Sequence, residues 1–279
     1  MTQTIAYLGP PGTYGEAAAL AWSDWWATHH GENSQRCPYP SIFQTLKALA
    51  SGETDLAIAP VENSIQGSVT MTMDALWQMD RLQIQKALVL PISHAFISHA
   101  QSFSQIREVY SHPQALAQCQ EWLERNVPNA QLIPTNSTTE SLQHIDEAGT
   151  MAAIASRRAA DLYQLPVLAH PINDRPDNCT RFWVLSRQPS PGGTHTSLAF
   201  DLPSNSPGAL LKALQILADR NINMSRIESR PTKRSLGEYL FFIDFEADSH
   251  STSAQTALEE LKNCTETLKI FGSYSVLEV

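Results

Sequence analysis

Residues 1–187 alternate between short apolar runs and longer amphipathic stretches. The apolar runs, which are typical of buried strands, are TIAYLG, DLAIAPVE, ALVLPISHAFIS, REVYS, AQLIPT, MAAIAS and TRFWVLS. Between them lie stretches typical of helices, from about residue 14 to 27 and in MTMDALWQM, PQALAQCQEWLERN, TESLQHIDEA and RRAADLYQL. Strand and helix signals that take turns predict crossover units on largely parallel sheets, and therefore an α/β module.

The pattern changes after QPSPGGT, residues 188–194, which predicts a linker because it is rich in proline and glycine. Beyond it the order is strand (TSLAFDL), helix (PGALLKALQILADRN), strand (INMSRIESR), strand (GEYLFFIDFEA), helix (STSAQTALEELKN) and strand (TLKIFGSYSVLE). This βαββαβ order is typical of ferredoxin-like folds. It predicts a second, smaller domain over residues 195–279 with its own sheet.

The composition indicates a protein that acts on a small molecule. The chain of 279 residues carries a formal net charge of −9, and phosphate binding would need clustered lysine and arginine. No apolar run approaches the roughly 20 residues of a membrane span, and the first residues lack the features of a signal peptide. The four cysteines show no paired spacing, as expected for free thiols in a reducing compartment. We therefore expect a cytoplasmic protein without nucleic-acid or membrane partners.

Three strand-to-helix joints carry helix-start signals. Thr13 and Glu16 in GPPGTYGE stand at capping-box spacing, as do Ser137 and Glu140 in NSTTESL. Pro113 in SHPQALAQC suits the first position of a helix. The free N–H groups of a helix start attract anions, so the three joints could converge on a ligand at the carboxyl edge of the sheets. For each joint taken alone, a purely structural capping role is the more common interpretation.

Polar side chains also end a buried strand in PVENSIQG, residues 60–67. Glu62, Asn63 and Ser64 follow the apolar run DLAIA, and burying them is unfavourable unless they have partners. Ligand binding and internal hydrogen bonding are equally good interpretations of this stretch. His112, just before Pro113, is expected to cap its helix.

Thr180 and Arg181 stand where the polar turn DNCT passes into the apolar FWVL. Spacing alone leaves two interpretations equally open. In one, Arg181 pairs with Asp174 or Asp177 while Thr180 caps a turn. In the other, both side chains face a ligand.

Several motifs together resemble a known family. GPPGTYGE, PVENSIQG, SHPQALAQC and NCTRF, followed by the Pro/Gly linker, resemble prephenate dehydratase. SPGALLKAL and ESRP resemble the ACT regulatory domain that follows it in that family. The resemblance spans essentially the whole chain, with Gly15 standing where the family usually has serine. It implies a two-lobed catalytic domain over residues 1–187, similar in shape to periplasmic binding proteins, with the active site between the lobes.

By this resemblance the reaction converts prephenate to phenylpyruvate, with loss of carbon dioxide and of the ring hydroxyl as water. No metal or organic cofactor is expected. Arogenate, which bears an amino group in place of the keto group, is the alternative substrate. A non-catalytic amino-acid sensor is the alternative of a different class, and the presence of Thr180 and Arg181 favours the enzyme.

The resemblance also implies roles for individual residues. Thr180 is expected to donate a hydrogen bond or a proton to the departing hydroxyl, and Glu62 is the candidate proton source. Arg181, with a helix start, is expected to hold the substrate's carboxylates. The expected substrate-binding residues are Thr13, Tyr14, Asn63, Ser64, Ser137, Arg181 and Phe182.

In the second module the resemblance implies a site for L-phenylalanine at an interface between two ACT domains. The expected effector-binding residues are Gly208, Ala209, Leu210, Glu228, Ser229, Arg230 and Pro231. A site at such an interface requires a homodimer or a homotetramer. The leucines of the helix, Leu210, Leu211, Leu214 and Leu217, are expected to belong to the core.

Overall fold

The computed structural model describes residues 2–279, and this part of the chain contains eight α-helices and sixteen strands. The helices are α1 (Tyr14–His30), α2 (Ile42–Ser51), α3 (Thr70–Gln78), α4 (Pro113–Gln118), α5 (Gln120–Asn126), α6 (Arg157–Tyr163), α7 (Ala209–Ala218) and α8 (Thr252–Cys264). The strands are β1 (Gln3–Leu8), β2 (Ser34–Tyr39), β3 (Leu56–Asn63), β4 (Gly67–Ser68), β5 (Gln83–Pro91), β6 (His94–Ile97), β7 (Glu108–Ser111), β8 (Gln131–Pro134), β9 (Met151–Ser156), β10 (Val167–Ala169), β11 (Cys179–Ser186), β12 (His195–Asp201), β13 (Met224–Pro231), β14 (Tyr239–Phe245), β15 (Leu268–Tyr274) and β16 (Val276–Glu278).

The first module has two lobes, each built on its own sheet. The first lobe has the strand order β16-β5-β11-β3-β1-β2, with β4 beside β3, and the second lobe has the order β10-β6-β9-β7-β8. The chain enters the second lobe between β5 and β6 and returns to the first through β11. The two lobes are therefore joined by two crossing segments, with a cleft between them. The predicted two-lobed α/β module is confirmed.

The sheets are mixed, where the pattern predicted largely parallel ones. β1 lies parallel to β2 and β3, whereas β11 lies antiparallel to both β3 and β5. Strand β6 is likewise antiparallel to β9, while β7 is parallel to β8 and β9. The strands that enter and leave the second lobe are the antiparallel ones, because the chain crosses between lobes there.

Several elements differ from the sequence-based prediction. Strand β2 and helix α2 were missed, since β2 is a polar edge strand at one side of its sheet. The run ALVLPISHAFIS forms two strands in different lobes, with the break after Pro91. The stretch PQALAQCQEWLERN forms two helices that meet at Cys119, and TESLQHIDEA holds only a 3₁₀ turn.

The second module has the predicted βαββαβ order, with sheet order β13-β14-β12-β15. One face of this sheet packs on α7 and α8 around Phe200, Phe245 and Leu261. The opposite face carries Phe242 and Tyr274 into a core shared with the first module. The two modules therefore share a continuous hydrophobic core, which the linker signal did not predict.

The leucines of α7 do not all belong to the core. Leu217 is buried and Leu210 and Leu214 are partly buried, but Leu211 is 65% exposed. The prediction that Leu211 is a core residue is wrong, because it lies on the face of α7 that points away from the sheet.

The last strand of the chain belongs to the first module. Residues 276–278 form β16, which pairs in parallel with β5 at the edge of the first-lobe sheet. The expected second module, residues 195–279, therefore needs one correction at its end. Residues 188–194 form neither helix nor strand. Within residues 2–279, no helix combines the length and the hydropathy that a membrane crossing would require.

Candidate active site

A cavity of about 850 Å³ lies between the two lobes of the first module. The first lobe contributes the ends of β1, β2 and β3 and the starts of α1 and α2. The second lobe contributes the start of β6, the start of α4 and the residues after β8. Thr13, His112 and Ser137, one from each predicted strand-to-helix joint, all line this cavity. The joints therefore converge on one site, as the sequence suggested.

The helix starts around the cavity are capped by the residues that the sequence indicated. Thr13 Oγ1 accepts a hydrogen bond from the Glu16 N–H (3.3 Å), and Ser137 Oγ accepts one from the Glu140 N–H (3.0 Å). His112 Nδ1 accepts a hydrogen bond from the Gln114 N–H (3.2 Å), which confirms its capping role. The capping side chains are thus held by the first turns.

Glu16 differs from a standard capping box. Its Oε2 atom accepts a hydrogen bond from the Gly12 N–H (2.7 Å), and Arg158 of the second lobe donates to the same oxygen (2.5 Å). The Ser156 hydroxyl also donates to the Gly12 carbonyl oxygen (3.0 Å). The start of α1 is therefore also a point of contact between the lobes.

Gly15 is explained by close packing of α1 on β1. A Cβ atom at this position would lie 2.5 Å from the carbonyl oxygen of Leu8, which is far inside contact distance. Any side chain here would push the helix start away from the strand end. The backbone of α1 can thus approach the end of β1 more closely than a serine at this position would allow.

Among residues 2–279, no lysine or arginine lines the cavity, so the described lining holds no permanently cationic side chain. The groups at the cavity that can attract an anion are instead helix starts, since the first N–H groups of a helix have no partner within the helix. Tyr14 and Gly15 are the first residues of α1, Ile42 is the first of α2, and all three line the cavity.

Thr180 and Asn63 lie at the base of the cavity, paired across β11 and β3. Thr180 is only 8% exposed and Asn63 only 3%. Asn63 Nδ2 donates to Thr180 Oγ1 (3.0 Å) and to Asn178 Oδ1 (2.8 Å). Within residues 2–279, the Thr180 hydroxyl has no acceptor for its own hydrogen, so it is available to donate into the cavity.

Gln118 is a buried site residue that the sequence analysis missed. Its Nε2 atom donates to Asn63 Oδ1 (3.3 Å), and its Oε1 atom accepts from Asn178 Nδ2 (3.0 Å). It is located on the apolar face of α4, next to buried Cys119 and near Ala115. A polar residue within an apolar helical face was the signal that could have revealed it.

His94 and Tyr14 extend this hydrogen-bond network. His94 Nε2 lies 2.9 Å from Gln118 Oε1, and His94 Nδ1 lies 3.3 Å from the Tyr14 hydroxyl. Tyr14 donates to the carbonyl oxygen of Ser93 (2.7 Å). Desolvation by burial lowers the pKa of His94 and raises that of Tyr14, so both are neutral near pH 7.

Three predicted site residues do not line the cavity. Arg181 and Glu62 lie on the opposite face of the sheet, where Arg181 Nη1 is 3.4 Å from Glu62 Oε2 and 3.7 Å from Asp244 Oδ2. Successive side chains on a strand point to opposite faces, so Thr180 and Arg181 cannot both face the cavity. Ser64 Oγ accepts a hydrogen bond from the Cys179 N–H (3.0 Å) and holds the strand end. The structure therefore does not bring Arg181 or Glu62 to the cavity, where their expected roles of substrate anchor and proton source would require them.

The other predicted cleft residues, Thr13, Tyr14, Asn63, Ser137, Thr180 and Phe182, all line the cavity. Asp174, one of the two acids considered as a partner of Arg181, does not pair with it. Asp174 accepts hydrogen bonds from the backbone N–H groups of Glu121 (2.9 Å) and Trp122 (3.0 Å) instead.

The predicted effector residues lie on α7 and β13 of the second module. Gly208 precedes α7 with φ +80°, in the left-handed region that favours glycine, and it is exposed. The ESRP segment ends β13, an edge strand of its sheet. Arg230 forms a bidentate pair with Asp74 of α3 (3.0 and 3.1 Å), whereas Ser229 and Pro231 are exposed. The ESRP segment thus contacts the first module through Arg230, while its other side is exposed at the surface.

Comparisons with known proteins agree over nearly the whole chain. The family model for prephenate dehydratase matches residues 5–190, and the ACT domain model matches residues 196–263. The bifunctional chorismate mutase/prephenate dehydratase of Neisseria gonorrhoeae is 41% identical over 97% of this chain and 74% of that protein. The prephenate dehydratase of Lactococcus lactis subsp. cremoris is 35% identical over 98% of this chain and 97% of that protein.

A solved structure is also similar. The crystal structure of prephenate dehydratase from Arthrobacter aurescens, in complex with L-Phe, has a TM-score of 0.85 and 34% sequence identity to this chain. The match covers 98% of this chain and 90% of that one.

Proposed function

The chain belongs to the prephenate dehydratase family, whose reaction is the decarboxylating dehydration of prephenate, and we propose that the cavity between the lobes is the site of this reaction. The observation that carries the proposal is the Thr180 hydroxyl. It is fixed by Asn63 at the base of the cavity with its hydrogen free to donate. Loss of a hydroxyl group from a substrate needs a hydrogen-bond donor of this kind beside the departing oxygen.

The chemistry requires one bond to break at each end of the substrate ring. The pair of electrons that held the carboxylate at C1 moves into the ring, and the C4–OH bond breaks as the ring becomes aromatic. The products are phenylpyruvate, carbon dioxide and a hydroxide that takes up one proton to become water. A hydrogen bond to the departing oxygen stabilises the charge that develops on it.

Thr180 is the proposed donor of that hydrogen bond. Its oxygen already accepts from the Asn63 amide (3.0 Å), which polarises the hydroxyl and orients its hydrogen towards the cavity. Threonine is too weak an acid to lose its own proton, so the released hydroxide takes up its proton from hydronium or a buffer acid of the solvent after the bond has broken. This role needs no carboxylic acid, which is consistent with Glu62 lying on the other face of the sheet.

The two carboxylates of prephenate are bound by helix starts in this proposal. The first N–H groups of α1 and α2 line the cavity and carry partial positive charge. They replace the arginine that sequence reasoning assigned to this role. Because backbone groups cannot be removed by mutation, single side-chain substitutions are expected to affect substrate affinity only modestly.

The named relatives favour prephenate over arogenate as the substrate. Arogenate carries an ammonium group, which would need an acidic partner. Within the described residues, Glu140 is the one carboxylate that lines the cavity, and its two oxygens accept from the backbone N–H (3.0 Å) and side-chain amide (3.2 Å) of Asn136. Glu140 is therefore the group with which an arogenate ammonium would have to pair, and the relative turnover of the two substrates tests whether it does.

An assay with both substrates tests the proposal. The purified protein is offered prephenate and arogenate separately, and the formation of phenylpyruvate and of phenylalanine is followed. We expect phenylpyruvate from prephenate at a kcat/KM well above that for arogenate. Turnover of neither substrate would reject the proposed function, and preferential turnover of arogenate would reject the substrate assignment.

L-Phenylalanine is the proposed effector, bound where two ACT domains meet. The similar structure from Arthrobacter aurescens was solved in complex with L-Phe. In this chain, β13 is an edge strand that carries exposed Ile227 and is paired at its end with exposed Tyr239 of β14. Such an edge can pair with a second copy, so we propose a homodimer or a larger assembly built on it.

The cytoplasm is the proposed compartment. Cys37, Cys119, Cys179 and Cys264 are all free thiols in the structure, and free thiols are usual in a reducing compartment. Small-molecule substrates and effectors of amino-acid biosynthesis are also consistent with this location.

A further inference from the structure

The face of the first-lobe sheet that points away from the cavity carries a cluster of four charged side chains at the contact between the modules. Arg181 lies between Glu62 of β3 and Asp244 of β14, within 3.4 and 3.7 Å respectively. Arg226 of β13 approaches the same aspartate, with Nε 2.7 Å from Oδ2 and Nη2 3.2 Å from Oδ1. Asp244 therefore binds one arginine from each module.

Asp244 is held rigidly in this cluster. Its side chain is 1% exposed, and it also accepts a hydrogen bond from Ser197 Oγ (2.5 Å). The Arg226 guanidinium lies over the Trp183 ring, 5.5 Å from its centroid. The side chains of Asp244 and Arg226 are only 1% and 6% exposed, so removing one of them leaves the charge of the other uncompensated. The cluster is thus a stiff connection between the two modules.

The cluster and the cavity lining are adjacent in sequence on both strands, one peptide bond apart on β11 and one peptide bond apart on β3. Arg181 and Glu62 are paired directly across β11 and β3, and the next pair along the two strands is Thr180 and Asn63. Arg181 and Glu62 point to the module contact, whereas Thr180 and Asn63 line the cavity. A shift of Arg181 that moves the backbone of β11 would therefore also move Thr180, the preceding residue, and its hydroxyl.

We infer that Asp244 is a positioning residue for the dehydration, which acts by holding Arg181 and so fixing the Thr180 hydroxyl against Asn63. The inference rests on the proposed role of Thr180 as hydrogen-bond donor. No residue of the second module, as far as residues 2–279 are described, lines the cavity. The second module would nevertheless complete the catalytic geometry through this one carboxylate.

The test compares kcat and KM for prephenate in the full-length protein and in Asp244→Asn and Arg181→Met variants. A displacement of about 1 Å in a catalytic group can lower the rate on the order of a hundredfold, so we expect kcat to fall about ten- to a hundredfold in both variants. KM should stay within about threefold of the wild-type value, since neither side chain touches the substrate. Asp80→Asn is the matched control, because Asp80 pairs with Lys269 at the same module contact (2.6 Å) away from the cavity. It should keep the wild-type kcat.

A variant that combines Asp244→Asn with Arg181→Met distinguishes a positioning role of Asp244 from two independent losses of activity. If Asp244 acts through Arg181, the double variant loses no more kcat than the more impaired single variant, because both break the same link. Losses that multiply in the double variant would contradict the inference, and so would a folded variant with wild-type kcat. Thermal melting checks that each variant is folded. If Asp244→Asn does not fold, Arg181→Met decides, since the Arg181 side chain is 29% exposed.

The same experiment distinguishes this inference from the proposed function. Failure of the wild-type protein to turn over prephenate would reject the proposed function itself. An active wild-type protein with unaffected Asp244→Asn and Arg181→Met variants would reject the inference alone.

Discussion

At the scale of single residues, the cavity depends on a buried amide network centred on Gln118. Gln118 bonds Asn63, Asn178 and His94 through its two amide atoms. Replacing it by leucine leaves these buried polar groups without their partner. Buried unsatisfied groups are destabilising, and they also loosen the residue that orients Thr180.

We therefore expect Gln118→Leu to lower the free energy of unfolding by about 1–3 kcal/mol and to lower kcat. Urea unfolding and steady-state kinetics measure the two effects. Gln120→Leu is the control, since Gln120 is exposed at the start of α5 and should change the free energy of unfolding by less than about 0.5 kcal/mol. Equal stability of the two variants would contradict the importance of the network.

His94 should make the stability of the protein depend on pH. Burial lowers its pKa in the folded state, so the unfolded state, with a pKa near 6.5, binds more protons over the window between the two values. The stabilisation is complete above the unfolded pKa and is lost as the pH falls towards the folded one. His112, whose pKa is also lowered by burial, acts in the same direction.

The measurement is the urea midpoint at about pH 7.5 and about pH 5.5, on either side of the unfolded histidine pKa. The wild-type midpoint should fall with pH more steeply than that of a His94→Gln variant, in which one of these groups no longer titrates. Identical pH dependence in the two proteins would show that His94 is not buried in its neutral form.

The sequence predicts which residues belong near the site better than it predicts the face of the sheet to which each side chain points. Asn63 and the caps Thr13 and Ser137 were indicated because polar groups at strand ends and helix starts need partners, whereas Thr180 was assigned through the family resemblance. Arg181 was placed on the wrong face although strand alternation forbids it beside Thr180 in the cavity. One of its two acidic partners, Asp244, lies 63 positions along the chain in another module, and local sequence carries no signal for such a pair.

At the scale of elements, β16 ties the end of the chain to the first-lobe sheet. Leu277 packs into the core around α1, next to Leu88 and Leu90, whereas Val276 on the same strand is 39% exposed. The strand covers the edge of β5, which would otherwise present unpaired backbone groups. It therefore stabilises the first module from the end of the chain.

Leu277→Ala is expected to lower the free energy of unfolding by about 1–2 kcal/mol, since the side chain is only partly buried. Val276→Ala is the matched control, on the same strand with its side chain more exposed, and should have a smaller effect. Urea unfolding measures both. A larger effect at Val276 than at Leu277 would contradict the observed pairing of β16 with β5.

Elements with a strong hydrophobic period were predictable, and those defined by tertiary context were not. The 17-residue helix α1 and the βαββαβ order of the second module followed from the pattern. Strand β2 is polar and was missed, and the break after Pro91 became visible only because β5 and β6 belong to different lobes.

At the scale of the whole molecule, the second module is proposed to carry regulation across an exposed edge. L-Phenylalanine should raise the melting temperature, because a ligand that binds only the folded state stabilises it, by about 2.7 kcal/mol at a concentration of 100 Kd. Ile227 is 41% exposed on the edge strand β13. A charge at this position should oppose pairing of two edges.

Ile227→Asp is therefore expected to give a smaller oligomer and to lose most of the shift in melting temperature caused by L-phenylalanine. Light scattering and thermal melting measure the two effects. Leu162→Asp is the control, since Leu162 is 49% exposed on α6 of the first module. If both variants keep the wild-type oligomer and the full shift, the edge of β13 is not the interface.

The central claim is that the hydroxyl of Thr180, at the base of the interlobe cavity, stabilises the departing oxygen. The most direct measurement is kcat for prephenate in Thr180→Ala and Thr180→Ser variants beside the wild-type protein. Thr180→Ala should lower kcat by about 10²–10³-fold, the usual cost of removing one hydrogen-bond donor to a developing oxyanion, with little change in KM, while Thr180→Ser, which keeps the hydroxyl, should retain most of the activity. A folded Thr180→Ala protein with near-wild-type kcat would contradict the account.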